Sequence, residues 1–176
     1  EVALVIRLMY ERGLISALTG NASARVGDDL MLITPSGVHK GLMKPEDVLL
    51  IDFSGRVLWG VGRPSREWRM HRAVYQASDA RSVVHSHSPF TLALSPESLR
   101  GPGEEVVGGI VKVEYAPPGS AELAELVYRA VSRRRSSVYL LEGHGVLALG
   151  NSPLEAEALI EYVEELCRVE FLRRLV

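Results

Sequence analysis

Three of the chain's five histidines stand where their rings could share one ion. His85 and His87 lie two apart in the segment Ser82-Val83-Val84-His85-Ser86-His87. On a strand, whose side chains alternate between faces, that spacing turns both imidazoles to one side. His144 sits between Gly143 and Gly145, whose missing side chains leave room for close approach. Three neutral imidazoles around an ion with one open position are the usual catalytic zinc arrangement, with metal–nitrogen distances of roughly 2.0–2.1 Å. A metal so held is a Lewis acid. The His-x-His spacing alone also fits a pair of hydrogen-bonded structural histidines, so the companion residues decide.

Glu67 precedes His71 by four residues in Glu67-Trp68-Arg69-Met70-His71, which places both on one helix face. The pair could orient a base, or it could be an ordinary helix-surface contact. His39 reads as a surface residue. Three short segments, Leu18-Thr19-Gly20-Asn21, Thr34-Pro35-Ser36-Gly37 and Arg63-Pro64-Ser65-Arg66, combine turn backbone with hydroxyl, amide or guanidinium donors. Such loops can cradle an oxyanion, and backbone N–H groups there supply positive potential without a basic protein. None of the three matches a Walker A or dinucleotide motif.

Holding these groups requires alternating helices and strands, and the hydrophobic period alternates accordingly along the whole chain. Val2–Arg12 reads as a helix stopped by Gly13. Ala22–Val26 and Leu30–Thr34 flank the turn Gly27-Asp28-Asp29, and Val48–Asp52 and Arg56–Trp59 flank Ser54-Gly55, giving a meander of short antiparallel strands. Ser65 reads as the cap of a helix reaching about Gln76, with Glu67 in its first turn, where negative charge is favoured. Arg81–His87 returns as a strand, the Pro-, Gly- and Ser-rich stretch Ser95–Gly103 as a loop, Ile110–Glu114 as a strand and Pro117-Pro118-Gly119 as a turn. Ser120–Arg133 is an amphipathic helix with Glu122 and Glu125 at its start and Arg133 at its end. Strands at Ser137–Leu141 and Val146–Leu149 follow. A last helix then starts at Ser152-Pro153-Leu154-Glu155, an N-cap, a first-turn proline and a capping-box glutamate.

The chain has 176 residues, 47% of them apolar and 24% charged, which predicts one α/β domain over residues 1–176. A net charge of −2 lacks the footprint of a nucleic-acid binder, and the apolar runs are too short to span a membrane, so neither partner is expected. The lone Cys167 cannot form an internal disulfide and reads as structural, which points to the cytoplasm. The start at Glu1, inside a helical pattern, reads as missing residues rather than a processed signal peptide. The 17 arginines against 3 lysines hint at a hot habitat, a bias that base composition also produces.

Gly20-Asn21-Ala22-Ser23-Ala24-Arg25, Ile33-Thr34-Pro35-Ser36-Gly37, residues 64–71, Val84-His85-Ser86-His87, Pro118-Gly119-Ser120 and Gly143-His144-Gly145-Val146 together resemble the class II aldolase/adducin family. The resemblance runs from about Gly13 to the C-terminus. It implies a three-layer fold with a central, mainly antiparallel sheet flanked by helices, in a homotetramer with sites at subunit interfaces. It implies Zn2+ on His85, His87 and His144, with Glu67 as a base that can also touch the metal. It places a substrate phosphate on Gly20, Asn21, Ser36, Gly37 and Ser65. Arg66 stands where the family's bacterial aldolases have a second phosphate-binding serine, and could pair with the phosphate or serve the subunit interface. Those enzymes also carry a tyrosine acid, whereas Leu99–Gly109 offers Glu104 and Glu105 and no tyrosine, so the proton donor is left unassigned.

The activity so implied is reversible cleavage of a phosphorylated sugar, a ketose 1-phosphate such as L-fuculose 1-phosphate, to dihydroxyacetone phosphate and lactaldehyde or a similar aldehyde. Pentulose-phosphate 4-epimerases and methylthioribulose-1-phosphate dehydratases resemble the same pattern. Glu67 is the residue of the dehydratases there, where the epimerases usually have aspartate. An adducin-like interaction module without chemistry is the remaining reading, and the complete histidine set opposes it.

Overall fold

A computed structural model describes residues 1–94 and 109–175. The strands are β1 (Asn21–Arg25), β2 (Leu30–Ile33), β3 (Leu49–Asp52), β4 (Val57–Trp59), β5 (Ser82–Ser86), β6 (Ile110–Val113), β7 (Val138–Leu141) and β8 (Gly145–Gly150). The helices are α1 (Val2–Glu11), α2 (Trp68–Ala77), α3 (Pro89–Leu94), α4 (Ala121–Arg133) and α5 (Pro153–Arg173). Among the described residues the eight strands form one sheet in the order β4-β3-β2-β1-β5-β8-β7-β6. Every neighbouring pair is antiparallel except β6 and β7, which α4 connects as a parallel crossover. The mixed α/β sheet flanked by helices is the architecture expected from the sequence.

Side-chain alternation sorts the strands into two cores. Ala22, Val84, Val138, Val146 and Ala148 pack beneath α1 and α5 with Val5, Ile6, Ile160 and Val163. On the opposite face Met31, Ile51, Val83, Tyr139, Leu141 and Leu147 pack with Met70 and Val74 of α2 and Leu123 and Val127 of α4. Both faces are therefore covered, and strands such as β2, β7 and β8 read as nearly continuous apolar runs. Cys167 is fully buried in the first core, and burial pushes its thiol up to about 11, as a structural cysteine requires. Among the described residues no helix is long and apolar enough to cross a membrane.

The helix starts show where local signals held and where they shifted. Ser120 Oγ accepts from Leu123 N at 3.0 Å, and Ser152 Oγ from Glu155 N at 3.2 Å, so both predicted caps form. Glu155 reaches back to Asn151 N at 2.9 Å rather than to the cap residue's own N–H, one position short of a capping box. The helix expected from Ser65 begins later, at Trp68. Ser65 forms a preliminary turn, its Oγ accepting from Glu67 N at 3.3 Å, and Glu67 occupies the N-cap position instead of the first turn.

Helix α3 has no counterpart in the sequence reading. Its first N–H groups are satisfied from a distance: Glu164 on α5 accepts from Phe90 N at 2.9 Å, and from Thr91 N and Oγ1 at 2.8 and 2.7 Å. A carboxylate at a helix N-terminus is favourable, and here it arrives from some seventy residues along the chain. The expected Ser95–Gly103 loop lies outside the described residues.

Candidate functional site

Strand β5 lies between β1 and β8 at the centre of the sheet, with His85 near its end and His87 just beyond it. Asn21 of β1 lies directly opposite His85 of β5, so their side chains emerge on the same face, toward the N-terminal end of α2. Gly20, at φ 74°, turns the chain into β1 so tightly that a Cβ there would meet the His85 carbonyl oxygen at 3.1 Å. Gly145 brings β8 against Ser86 and the His85 ring, a space that a side chain would fill. That is the close approach expected of the glycines around His144.

The three imidazoles converge. His85, His87 and His144 each offer a ring nitrogen, and these nitrogens lie within 4.8 Å of one another, with ring centroids 4.7–5.2 Å apart. His85 Nδ1 donates to the Val146 carbonyl at 3.0 Å, which leaves its Nε2 as a lone pair facing inward. That nitrogen stands 3.1 Å from His87 Nε2.

Glu67 closes the ring of donors. Its Oε2 lies 3.3 Å from His85 Nε2 and its Oε1 3.2 Å from His144 Nε2, and the residue is only 7% exposed. Burial opposes its ionisation, but the two neighbouring histidines and a hydrogen bond from Asn21 outweigh that and hold the carboxyl far below the ordinary range. Burial likewise pushes His85 down to about 3, against the pull of Glu67. At neutral pH the site thus presents an ionised Glu67 beside a neutral His85.

Ring nitrogens and carboxylate oxygens gathered at 3.1–3.3 Å are placed to share a cation. Glu67 Oε1 is buried with no hydrogen-bond partner, the kind of orphaned acceptor that a cation satisfies. Three imidazole nitrogens with an adjacent carboxylate oxygen are a donor set suited to a divalent ion such as zinc, so the residues present could hold a metal.

The three glycine- and serine-containing segments are laced together beside this cluster. Thr34 N donates to Ala22 O at 3.1 Å, Ser36 N to Arg63 O at 2.8 Å, and Ser65 N to Thr34 O at 3.0 Å. Ser65 is nearly buried, whereas Ser36, Gly37 and Arg66 are exposed at the rim, Gly37 at φ 79°. Glu104 and Glu105 lie outside the described residues. His39 is exposed, edge-on against Tyr10, as expected.

Three features escaped the sequence reading. Asn21, singled out only for a phosphate, is 4% exposed and donates from Nδ2 to Glu67 Oε2 at 2.9 Å while its Oδ1 meets His71 Nε2 at 2.5 Å. Glu67 and His71 are therefore joined through Asn21 rather than directly. Ser23 and Tyr75 extend the contact: Ser23 Oγ lies 2.7 Å from both His71 Nδ1 and Tyr75 Oη. The signal was available as period two in Asn21 and Ser23 and period four in Glu67, His71 and Tyr75. Lys40 is 2% exposed beneath the Thr34–Gly37 loop, its Nζ donating to Pro35 O at 3.0 Å, and burial pushes it down to about 8.

The chain is similar to known proteins over nearly its whole length. The family model described as "Class II Aldolase and Adducin N-terminal domain" matches residues 1–171. An L-fuculose phosphate aldolase of Methanococcus maripaludis is 33% identical over 178 residues, spanning 98% of this chain and 95% of that protein. A methylthioribulose-1-phosphate dehydratase of Methylococcus capsulatus is 32% identical over 180 residues, spanning 93% and 88%. The crystal structure of L-fuculose-1-phosphate aldolase from Thermus thermophilus superimposes with a TM-score of 0.83 at 31% identity, covering 99% of this chain and 92% of that one.

Proposed function

The chain belongs to the class II aldolase and adducin N-terminal domain family, and on that premise we propose that it is a zinc-dependent aldolase. In this reading it reversibly cleaves a ketose 1-phosphate resembling L-fuculose 1-phosphate into dihydroxyacetone phosphate and lactaldehyde or a similar aldehyde. The observation that carries the reading is the meeting of Glu67 with the His85, His87 and His144 cluster at 3.2–3.3 Å.

His85, His87 and His144 would hold the ion, and zinc there would supply Lewis acidity at the reacting end of the sugar. Glu67 moves the carbon-bound proton. In the condensing direction it takes a proton from the hydroxymethyl carbon of dihydroxyacetone phosphate, and in cleavage it returns one to that carbon. Its buried carboxylate is ionised and hydrogen-bonded from Asn21, so it is ready to accept. Gly20, Asn21, Ser36, Gly37 and Ser65 grip the phosphate, with Arg66 at the rim as an added cation. Binding energy from that non-reacting end fixes the carbon chain against the base. The protein works as a homotetramer in the cytoplasm, with its sites at subunit interfaces.

The test is to incubate the protein with dihydroxyacetone phosphate and lactaldehyde and look for a ketose phosphate. Its formation supports the aldolase, and its absence from zinc-loaded protein overturns it. A dehydratase is the second reading, favoured by a 32% identical relative of that name and by a glutamate at position 67. Loss of water from methylthioribulose 1-phosphate without carbon–carbon cleavage would establish it. Glu67→Gln should retain metal and lower kcat by about 100-fold or more.

A further inference from the structure

Five buried side chains form one continuous line from the metal cluster into the core: Glu67, Asn21, His71, Ser23 and Tyr75. Three come from one face of α2 and its cap, and two from one face of β1. All five are buried, His71 and Ser23 completely. Since all five are buried, the direction of each bond is set by its partner within the line.

The direction of every bond follows from its end groups. A carboxylate only accepts, so at the 2.9 Å contact Asn21 must turn its Nδ2 toward Glu67. Its Oδ1 then faces His71, and because a carbonyl also only accepts, His71 Nε2 must carry the hydrogen. Burial holds the imidazole neutral, pushing it down to about 4 against the pull of Glu67, so Nδ1 is a lone pair. Ser23 therefore donates to Nδ1, and its oxygen accepts from Tyr75. Burial raises the Tyr75 hydroxyl above its ordinary value, which keeps it a donor. The far end is fastened by Arg25, whose Nη1 donates to the Tyr75 carbonyl at 3.0 Å.

We propose that His71, as the neutral tautomer protonated on Nε2, is a positioning residue: it fixes the orientation of the Asn21 amide and through it the carboxylate of Glu67. The line orients but does not conduct. An amide at Asn21 has no readily exchanged proton to pass on, so the effect is on the placement of Glu67 and not on proton delivery. Were His71 protonated on Nδ1 instead, Asn21 would rotate its amide, two oxygens would face each other at the Glu67 contact, and the base would lose its anchor. The inference rests on the reading of Glu67 as the proton carrier given above, but the tautomer is measurable without any turnover.

The test uses zinc-loaded protein labelled with nitrogen-15 at histidine. Long-range proton–nitrogen spectra at neutral pH should show His71 with hydrogen on Nε2 and a lone pair on Nδ1, and Ser23→Ala should perturb Nδ1. An Nδ1–H tautomer overturns the proposal, whatever the protein's substrate. The kinetic arm compares His71→Gln, whose side-chain amide can donate to Asn21, with the apolar His71→Leu, using L-fuculose 1-phosphate. The expected result is that His71→Leu lowers kcat by about 30-fold with KM and bound zinc little changed, and that His71→Gln restores most of it. Equal kcat in the two variants overturns the proposal. If either variant does not fold, or the wild type does not turn over this sugar, the His71 and Ser23→Ala spectra alone decide it.

Discussion

The two faces of the sheet are built from the same strands to opposite purposes. In β1, Ala22 and Ala24 point to the α1–α5 layer, whereas Asn21 and Ser23 point to α2. The first face is an almost unbroken apolar packing of Val5, Ile6, Val84, Ile160 and Val163. The second is apolar at its middle, with Met31, Val83 and Leu147, but becomes polar and fully buried at the strand ends that meet the start of α2. The dry face supplies stability that tolerates no particular chemistry. The other face uses that stability to keep a carboxylate, three histidines and their partners out of water, with His87 partly exposed beside them.

If that division holds, mutations on the two faces should fail differently. The largest loss of activity should follow His144→Ala, which removes one of the three rings proposed to hold the ion. Activity should fall by at least about 1,000-fold together with bound metal, as read by elemental analysis, while the melting temperature of the metal-free protein should move little. Full metal content in that variant would break the comparison at its centre.

Ile160→Ala, on the dry face, should do the reverse. Ile160 is fully buried, so its truncation should cost about 2–5 kcal/mol in denaturant unfolding while kcat at a temperature where the protein stays folded is kept.

Acid should reach the polar face first. In the unfolded chain His71 and His85 take up protons near their ordinary 6.5, but in the folded, metal-free protein not until about 4 and 3. The stability they contribute is therefore complete above about pH 6.5. It declines as pH falls toward 4, because only the unfolded state gains protons there. Unfolding of metal-free protein followed across that range should show this slope, and a flat profile would contradict the buried, neutral histidines. The smallest effect should come from Arg56→Ala. Its exposed pair with Asp52 at 3.1 Å should leave the denaturant midpoint of unfolding nearly unchanged.

Much of this was legible locally. Alternation and turn residues gave the meander of β1 to β4, Ser120 and Ser152 gave the starts of two helices, and His85, His87 and His144 could be named as a cluster because strand period and flanking glycines are short-range signals. Other features depended on partners far along the chain. Helix α3 is capped by Glu164, and the amide of Asn21 is oriented by Glu67 and His71, about fifty residues away. The burial of Lys40 beneath the Thr34–Gly37 loop is of the same kind.

The sequence by itself determined which faces of each element are apolar, where the elements begin and end to within a few residues, and which side chains have the chemistry to bind an ion or move a proton. Only the tertiary structure decided what lies against each nitrogen of His71, what holds Glu67, and how three separated imidazoles come within 4.8 Å of one another. Periodicity is a property of neighbouring residues, whereas hydrogen-bond direction and protonation state are set by whatever the folded chain brings alongside once water is excluded.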